Sequence, residues 1–277
     1  MKNSSAHPFV ERTLAGLAGA LEQAITAEYL AARKGVLQGL DPRVKLVGLL
    51  LLILAAVSSR RLWVTAIIFV LALLVAHVSH ISCRLIANRV WLSVFLFTGV
   101  IAFPAVFITP GDPVWYLPLL GWPVSAQGLS SAGHLLLRAE TSATWLLLIV
   151  LTTPWIHLLK ALRALGIPVT AVMILGMTHR YIFLLLQLAR EQFKARRSRL
   201  VGILSAHQRR TLATSSAGVL LDRSVQLSGE VFSAMQARGF RGEVYTLDDF
   251  RMHSRDWLAL VVFVTLAVIV LLLGTRL

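Results

Sequence analysis

Five apolar runs divide the chain: residues 44–57 (VKLVGLLLLILAAV), 62–76 (LWVTAIIFVLALLVA), 91–108 (WLSVFLFTGVIAFPAVFI), 142–156 (SATWLLLIVLTTPWI) and 257–274 (WLALVVFVTLAVIVLLLG), none with more than one charge. A helix that spans a bilayer needs roughly 20 mainly apolar residues, or about 17 where flanking side chains reach the interface. The last run meets that length alone, and the other four meet it with their flanks. Only Ser58-Ser59-Arg60-Arg61 separates the first two, which predicts a tight helical hairpin. The pattern predicts an all-α, polytopic membrane protein of about five transmembrane helices.

Between the runs the periodicity changes. After Pro8, Leu14, Leu17, Leu21, Ile25 and Leu30 recur near helical spacing, with Glu11, Arg12, Glu22, Gln23 and Glu28 on the other faces. That pattern suits an amphipathic helix lying on a membrane surface and ending near Gly35–Gly39. Asp41-Pro42 then starts the first span, with Asp as N-cap and Pro in the first turn. Residues 157–256 interrupt the series of spans. A short helix at 157–165 stops at Gly166 and Pro168. A long one runs from Val169 to about Leu200, with Ile174, Met177, Tyr181, Leu184, Leu185 and Leu188 on its apolar face. It is not taken as a sixth span, because His179-Arg180 sit mid-segment and a central charge costs about 2.5–3.5 kcal/mol. A further helix is expected from about Asp222 to Arg238, with Leu221, Val225, Ser228, Phe232 and Met235 forming a packing stripe, after a polar link at 201–220. The domain plan is therefore 1–43, an amphipathic segment; 44–156, four spans; 157–256, an insert; and 257–277, the final span.

Composition agrees with this plan. Hydrophobic residues make up 57% of the chain and charged residues 14%, where a soluble domain carries roughly a quarter charged. The net charge of +14 orients the protein. Lys2, Arg12, Arg33, Lys34, Arg43 and Lys45 lie at or before the start of the first span, and fifteen of the 27 basic residues fall in 157–256. The stretch 109–133, with Pro110, Pro113, Pro118, Pro123, Trp115, Tyr116 and Trp122, has no Lys or Arg. By the positive-inside rule the N-terminus and the insert are cytoplasmic, while 109–133 and the C-terminus are outside. Arg60-Arg61 fall on the wrong side of that map. The first forty residues lack the apolar core of a secretory signal, so the first span is expected to direct insertion. The lone Cys83 excludes an internal disulfide.

Catalytic patterns are missing. There is no phosphate-cradling loop, no metalloprotease histidine pair and no nucleophile beside a recognisable base. Glu140, at the start of the fourth span, is a functional candidate as a lone intramembrane carboxylate, with pairing to Arg138 or a place at the interface as the plainer alternatives. Two other function classes remain to be weighed. A secondary ion carrier needs polar ligands near the bilayer midplane, and the spans offer few. A tethered module that binds nucleic acid or anionic lipid would use a basic patch, but here the basic residues follow helix ends.

Several segments resemble one family. Leu40-Asp41-Pro42-Arg43-Val44-Lys45-Leu46, Leu151-Thr152-Thr153-Pro154, Arg163-Ala164-Leu165-Gly166-Ile167-Pro168, Arg180-Tyr181-Ile182-Phe183-Leu184-Leu185-Leu186 and Ala234-Met235-Gln236-Ala237-Arg238-Gly239-Phe240-Arg241-Gly242 resemble, in this order, the T components of energy-coupling-factor (ECF) transporters. The extension from Phe9-Val10-Glu11-Arg12-Thr13-Leu14 through Leu37-Gln38-Gly39-Leu40 resembles the cobalt/nickel branch, the CbiQ type. The resemblance implies a non-catalytic scaffold in a bacterial inner membrane, serving uptake of Co²⁺ or Ni²⁺. Its implied partners are two ABC-type ATPases, which carry the ATP and Mg²⁺, a membrane-embedded substrate-capture subunit and the lipid bilayer, but not nucleic acid.

The resemblance also implies that two coupling helices seat Ala-Arg-Gly-like ends in the ATPases. Ala237-Arg238-Gly239 matches that motif. Ala195-Arg196-Arg197 has Arg in place of Gly, so its helix is expected to run on toward Ser198-Arg199. Alanine permits close approach, arginine offers a planar fork to a carboxylate, and glycine permits a left-handed cap. His77, His80 and Cys83 would share one side of a continuous helix and suit a transition metal. The expectation is still interfacial filler and no metal site on this chain, because no fourth ligand lies nearby and the resemblance assigns metal capture to another subunit.

Overall fold

The structure, a computed structural model, describes residues 8–33, 35–109, 113–116, 123–199, 205–240 and 252–275. Its helices are α1 (Pro8–Ala31), α2 (Pro42–Ser58), α3 (Leu62–Val78), α4 (Cys83–Ile86), α5 (Leu92–Ile108), α6 (Ala126–Thr152), α7 (Trp155–Ala164), α8 (Val169–Arg197), α9 (Ala206–Ala237) and α10 (Ser254–Thr275), with a π-helical turn at Ala87–Trp91. Among the described residues the all-helical expectation holds but for one hairpin in the 109–133 stretch. There β1 (Pro113–Tyr116) pairs antiparallel with β2 (Pro123–Ser125), Trp115 opposite Val124. Pro110, Pro118 and Trp122 lie outside the described residues.

The chain divides into two compact units, one of Met1–Ala27 with Leu162–Asp249, the other of Glu28–Ala161 with Phe250–Leu277. The second unit is a bundle of α2, α3, α5, α6 and α10. Leu49, Leu52 and Ala55 of α2, Val64, Ile68 and Ala72 of α3, and Trp145, Leu148 and Leu151 of α6 form its core. Its outer surface is equally apolar: Phe95, Leu96, Phe97 and Val100 of α5 and Trp257, Leu258 and Val261 of α10 are all exposed. Helices apolar on every side belong in lipid.

Helix starts follow the sequence signals. Asp41 caps α2 by accepting from the Arg43 N–H at 2.8 Å, with Pro42 at the first helical position. Ser125 caps α6 by accepting from the Gly128 N–H, and its hydroxyl donates to the Thr109 oxygen. The fourth helix is thus 27 residues long, beginning well before the apolar run at 142. It places Glu140 mid-helix rather than at a helix start.

Small residues let the helices close. A Cβ on Gly48 would lie 2.3 Å from the Phe263 ring, and one on Gly274 would lie 3.0 Å from the Ser59 hydroxyl. Close approach at glycine is a common way for membrane helices to pack. These contacts, with the Arg60 N–H bond to the Gly274 oxygen at 3.3 Å, run α2 and α10 parallel. The guanidinium of Arg138 donates to the Ser59 oxygen, and Lys45 reaches Thr152, so α6 is antiparallel to both. Arg61, one of the two misplaced arginines, lies over the Trp63 ring at 5.9 Å.

Among the described residues three helices, α6, α8 and α10, are long and apolar enough to cross a membrane; α2, α3 and α5 have 17 residues each.

In the other unit, α8 packs on α9, with Ala189, Phe193 and Ser216 buried. The expected polar link at 201–220 is mostly helix instead. Ser205 and Gln208 form a reciprocal capping box that starts α9 sixteen residues before the expected Asp222. Thr211, Thr214 and Ser216 then turn their hydroxyls back onto carbonyls one turn earlier, so polar side chains are accommodated without breaking the helix. Residues 200–204 lie outside the described residues.

Candidate functional site

The end of α9 is a complete glycine cap. Gly239 has φ +81°, its N–H bonds to the Gln236 oxygen at 3.0 Å, and the Phe240 N–H bonds to the Met235 oxygen at 3.0 Å. This pair of bonds is the Schellman arrangement, which only a left-handed residue closes. It stops the helix at Ala237 and leaves the Arg238 side chain exposed at the tip. The α7 end is built the same way: Gly166 has φ +96° and Ile167 bonds back to Leu162. Arg241 and Gly242, the tail of the motif, lie outside the described residues.

The α8 end differs, as the missing glycine predicts. Ser198 keeps right-handed backbone, its N–H bonds to the Lys194 oxygen, and Arg199 continues with a bond to Arg196. Ala195 is exposed. Arg196 is engaged within the unit, donating to the Ser215 hydroxyl of α9 at 2.9 Å. The Arg197 side chain lies outside the described residues. The two ends are therefore unequal: α9 presents an exposed arginine on a sharp cap, α8 an arginine spent on bracing α9.

His77, His80 and Cys83 do not share a helix face. Helix α3 ends at Val78, His80 takes a left-handed φ of 57°, and Cys83 opens α4. The helical spacing fails because Ser79–Ser82 form a turn. All three are exposed, and among the described residues no group of three His, Cys, Asp or Glu side chains is placed to hold a metal ion. Glu140 is not paired with Arg138, whose guanidinium is turned to Ser59. Both Glu140 carboxylate oxygens are shielded from solvent without a hydrogen-bond partner among the described residues.

One constellation has no role in the sequence reading. Lys45 is buried, and its ammonium donates to the Thr152 oxygen at 2.9 Å. The buried carboxylates of Asp41 and Asp256 lie close enough to act on it electrostatically. Asp256 Oδ1 accepts the Asp41 N–H at 2.9 Å, while its Oδ2 accepts the His253 N–H at 2.8 Å. The caps of α2 and α10 are thus tied together, and the lysine ties both to the end of α6. The sequence signal was a lysine inside an apolar run, which requires a partner; the partner lies 107 residues away.

The family model for CbiQ, cobalt transport protein, matches residues 33–246. An uncharacterized protein of Methanocaldococcus jannaschii is 29% identical over 239 residues, covering 84% of this chain and 81% of the relative. The cobalt transport protein CbiQ of Rhodobacter capsulatus is 29% identical over 153 residues, 54% of this chain and 62% of that protein. The nickel permease LarQ of Lactiplantibacillus plantarum is 34% identical over 110 residues, 40% of each. The last two matches span less than two thirds of those relatives.

Proposed function

Since the chain belongs to the CbiQ family of cobalt transport proteins, we propose that it is the transmembrane coupling subunit of an ECF-type transporter. In this role it joins two ABC-type ATPases, which hold ATP and Mg²⁺, to a membrane-embedded subunit that captures Co²⁺ or Ni²⁺. The choice of metal draws on the names of two relatives, one a cobalt transport protein and one a nickel permease. The chain itself carries force rather than chemistry.

The membrane is crossed five times in this reading, by α2, α3, α5, α6 and α10, with the N-terminus and the insert cytoplasmic and the C-terminus outside. The cluster around Lys45 supports it. The chain leaves the bundle at Thr152 and returns at Asp256, and both points sit at the Lys45 end of α2. If α8 crossed the bilayer, α9 would have to cross back. Arg209, Arg210, Asp222, Arg223 and Glu230 along α9 make that prohibitive, at about 2.5–3.5 kcal/mol for each centrally placed charge. So α8 stays on the cytoplasmic side despite its length.

The observation that carries the coupling role is the exposed Arg238 on its glycine cap. A rigid helix ending abruptly in a cationic fork can press into a groove and transmit displacement along its axis. The test is co-purification of the ATPases with Arg238→Glu against the unmodified chain in mild detergent. Undiminished association and undiminished metal-dependent ATP hydrolysis would remove the coupling role from this tip.

A further inference from the structure

Both passages of the chain between the bundle and the insert are fixed at one place. On the way out, α6 ends at Thr152, and Thr153 is extended, with φ −131° and ψ 115°, before α7 begins at Trp155. On the way back, Asp256 lies in the first turn of α10 and accepts the His253 N–H on Oδ2. The start of α2 meets both: the Lys45 ammonium donates to the Thr152 oxygen, and the Asp41 N–H donates to Asp256 Oδ1. Asp41, Lys45, Thr152, Thr153 and Asp256 are all buried, and all belong to the same compact unit.

Stability alone does not call for charges here. A full set of apolar side chains of similar volume often holds a buried site as well as an ion cluster does. Apolar contacts are non-directional, however, and packed helices can slide past one another in small steps. A hydrogen-bonded charge cluster shut away from water resists that sliding, because a displaced member finds no replacement partner. The Lys45 cluster therefore fixes three helix ends in register, at the two joints where the insert begins and ends. The extended Thr153 breaks the rod between α6 and α7. Residues at element ends are where hinge motion is absorbed. A displacement of the insert reaches the spans only if the bundle side of that joint is held.

We propose that Lys45 is a positioning residue for transport: by pinning Thr152 and the caps of α2 and α10 at one point, it passes displacement of the insert on to the spans. Without it, the displacement is taken up at Thr153 and the spans stay where they are. The inference rests on the coupling role proposed above and names the residue inside the bundle through which that role acts.

The test uses the full complex, with its ATPases and capture subunit, in liposomes, well below the melting temperature of each variant. It reads Co²⁺ or Ni²⁺ taken up per ATP hydrolysed. Lys45→Met should hold the ATPases as the parent chain does and hydrolyse ATP within about twofold of it, the usual scatter of a change remote from a site. Uptake per ATP should fall at least about tenfold, within the range of couplings between distant sites. Leu52→Ala, a cavity in the core of α2 outside the cluster, should lower the melting temperature and leave uptake per ATP unchanged. Asp256→Asn, which removes the charge and keeps the volume, takes the place of Lys45→Met should that chain not elute as a folded species. Uptake per ATP equal to the parent's in the folded variant would overturn the proposal. Loss of ATPase association in that variant would do the same, as would an equal fall in Leu52→Ala. Arg238→Glu separates this outcome from failure of the coupling role. Lost association there, with an unchanged ratio in Lys45→Met, removes the role of Lys45 alone; a parent chain that neither holds ATPases nor transports removes both.

Discussion

Lys45 donates its ammonium hydrogen bond to the main-chain oxygen of Thr152 at 2.9 Å, in a bundle where the lysine is only 1% exposed. A lysine so buried persists because Asp41 and Asp256 offset its charge and Thr152 accepts from it. The bond closes the end of the bundle at which the chain departs into the insert and returns from it. Lys45→Met should therefore strand the Thr152 oxygen and leave two buried carboxylates without their cation. An unsatisfied buried acceptor costs about 1–3 kcal/mol. The apparent Tm in detergent should fall by roughly 5 °C, on the scale of a few degrees per kcal/mol for a chain of this size. A Tm equal to that of the parent chain would show the bond to be dispensable.

Helix packing at Gly48 offers a sharper steric test. Gly48→Val should drive α2 from α10, because its first added carbon already lies 2.3 Å from the Phe263 ring. Overpacking of this kind costs about 1–3 kcal/mol. Pairing it with Phe263→Ala should recover most of the lost thermal stability. Failure of the second change to rescue the first would mean that the two helices do not meet at this point.

Topology can be read with thiol probes after Cys83→Ser. Cysteine at Ala213, exposed on α9, should label only from the cytoplasmic side, and cysteine at Ala126, exposed at the start of α6, only from outside. Labelling of Ala213→Cys from outside would place α8 across the bilayer and defeat the five-span reading.

Metal handling should be insensitive to the His-Cys set. His77→Ala, His80→Ala and Cys83→Ser together should leave uptake by the assembled complex within about twofold of the parent, since the turn at Ser79–Ser82 keeps the three off one face. The twofold margin is about 0.4 kcal/mol, within the usual range for surface changes. Loss of uptake with intact assembly would put a ligand set on this chain.

The coupling tips should respond unequally. Gly239→Val forces a β-branched residue into a φ of +81°, which opens the Schellman cap and should loosen ATPase association. Arg238→Glu should be more severe, since a charged interfacial pair that loses one partner costs about 2–5 kcal/mol. Arg196→Ala should act partly through stability, because its bond to Ser215 braces α8 on α9. Co-purification of the ATPases alongside thermal melts separates the two effects. Equal loss of association in Arg196→Ala and Arg238→Glu with unchanged melting would contradict the asymmetry.

Most helices among the described residues were legible in the sequence, though not α4 (Cys83–Ile86), because apolar helices announce themselves locally, and their ends by residues such as Asp41-Pro42, Gly166 and Gly239. The glycine cap of α9 follows from the preference of one residue type for left-handed backbone, which needs no knowledge of the rest of the fold. Periodicity was less reliable where polar residues can bond to their own helix. The Ser205 capping box and the back-bonded Thr211, Thr214 and Ser216 made a helix out of a stretch that read as a link. The same local logic misjudged His77, His80 and Cys83, because helical spacing holds only while the helix does.

What the sequence by itself determined is most of the helices, their apolar surfaces and the distribution of cations along the chain. Only the tertiary structure decided that Lys45, Thr152 and Asp256 meet, that α2 and α10 run parallel, and that Arg196 is spent within the insert while Arg238 is exposed. Pairings across 107 and 215 residues leave no local periodicity. They arise because a charge inside an apolar bundle must find its partners wherever packing brings them, and packing is a property of the whole chain.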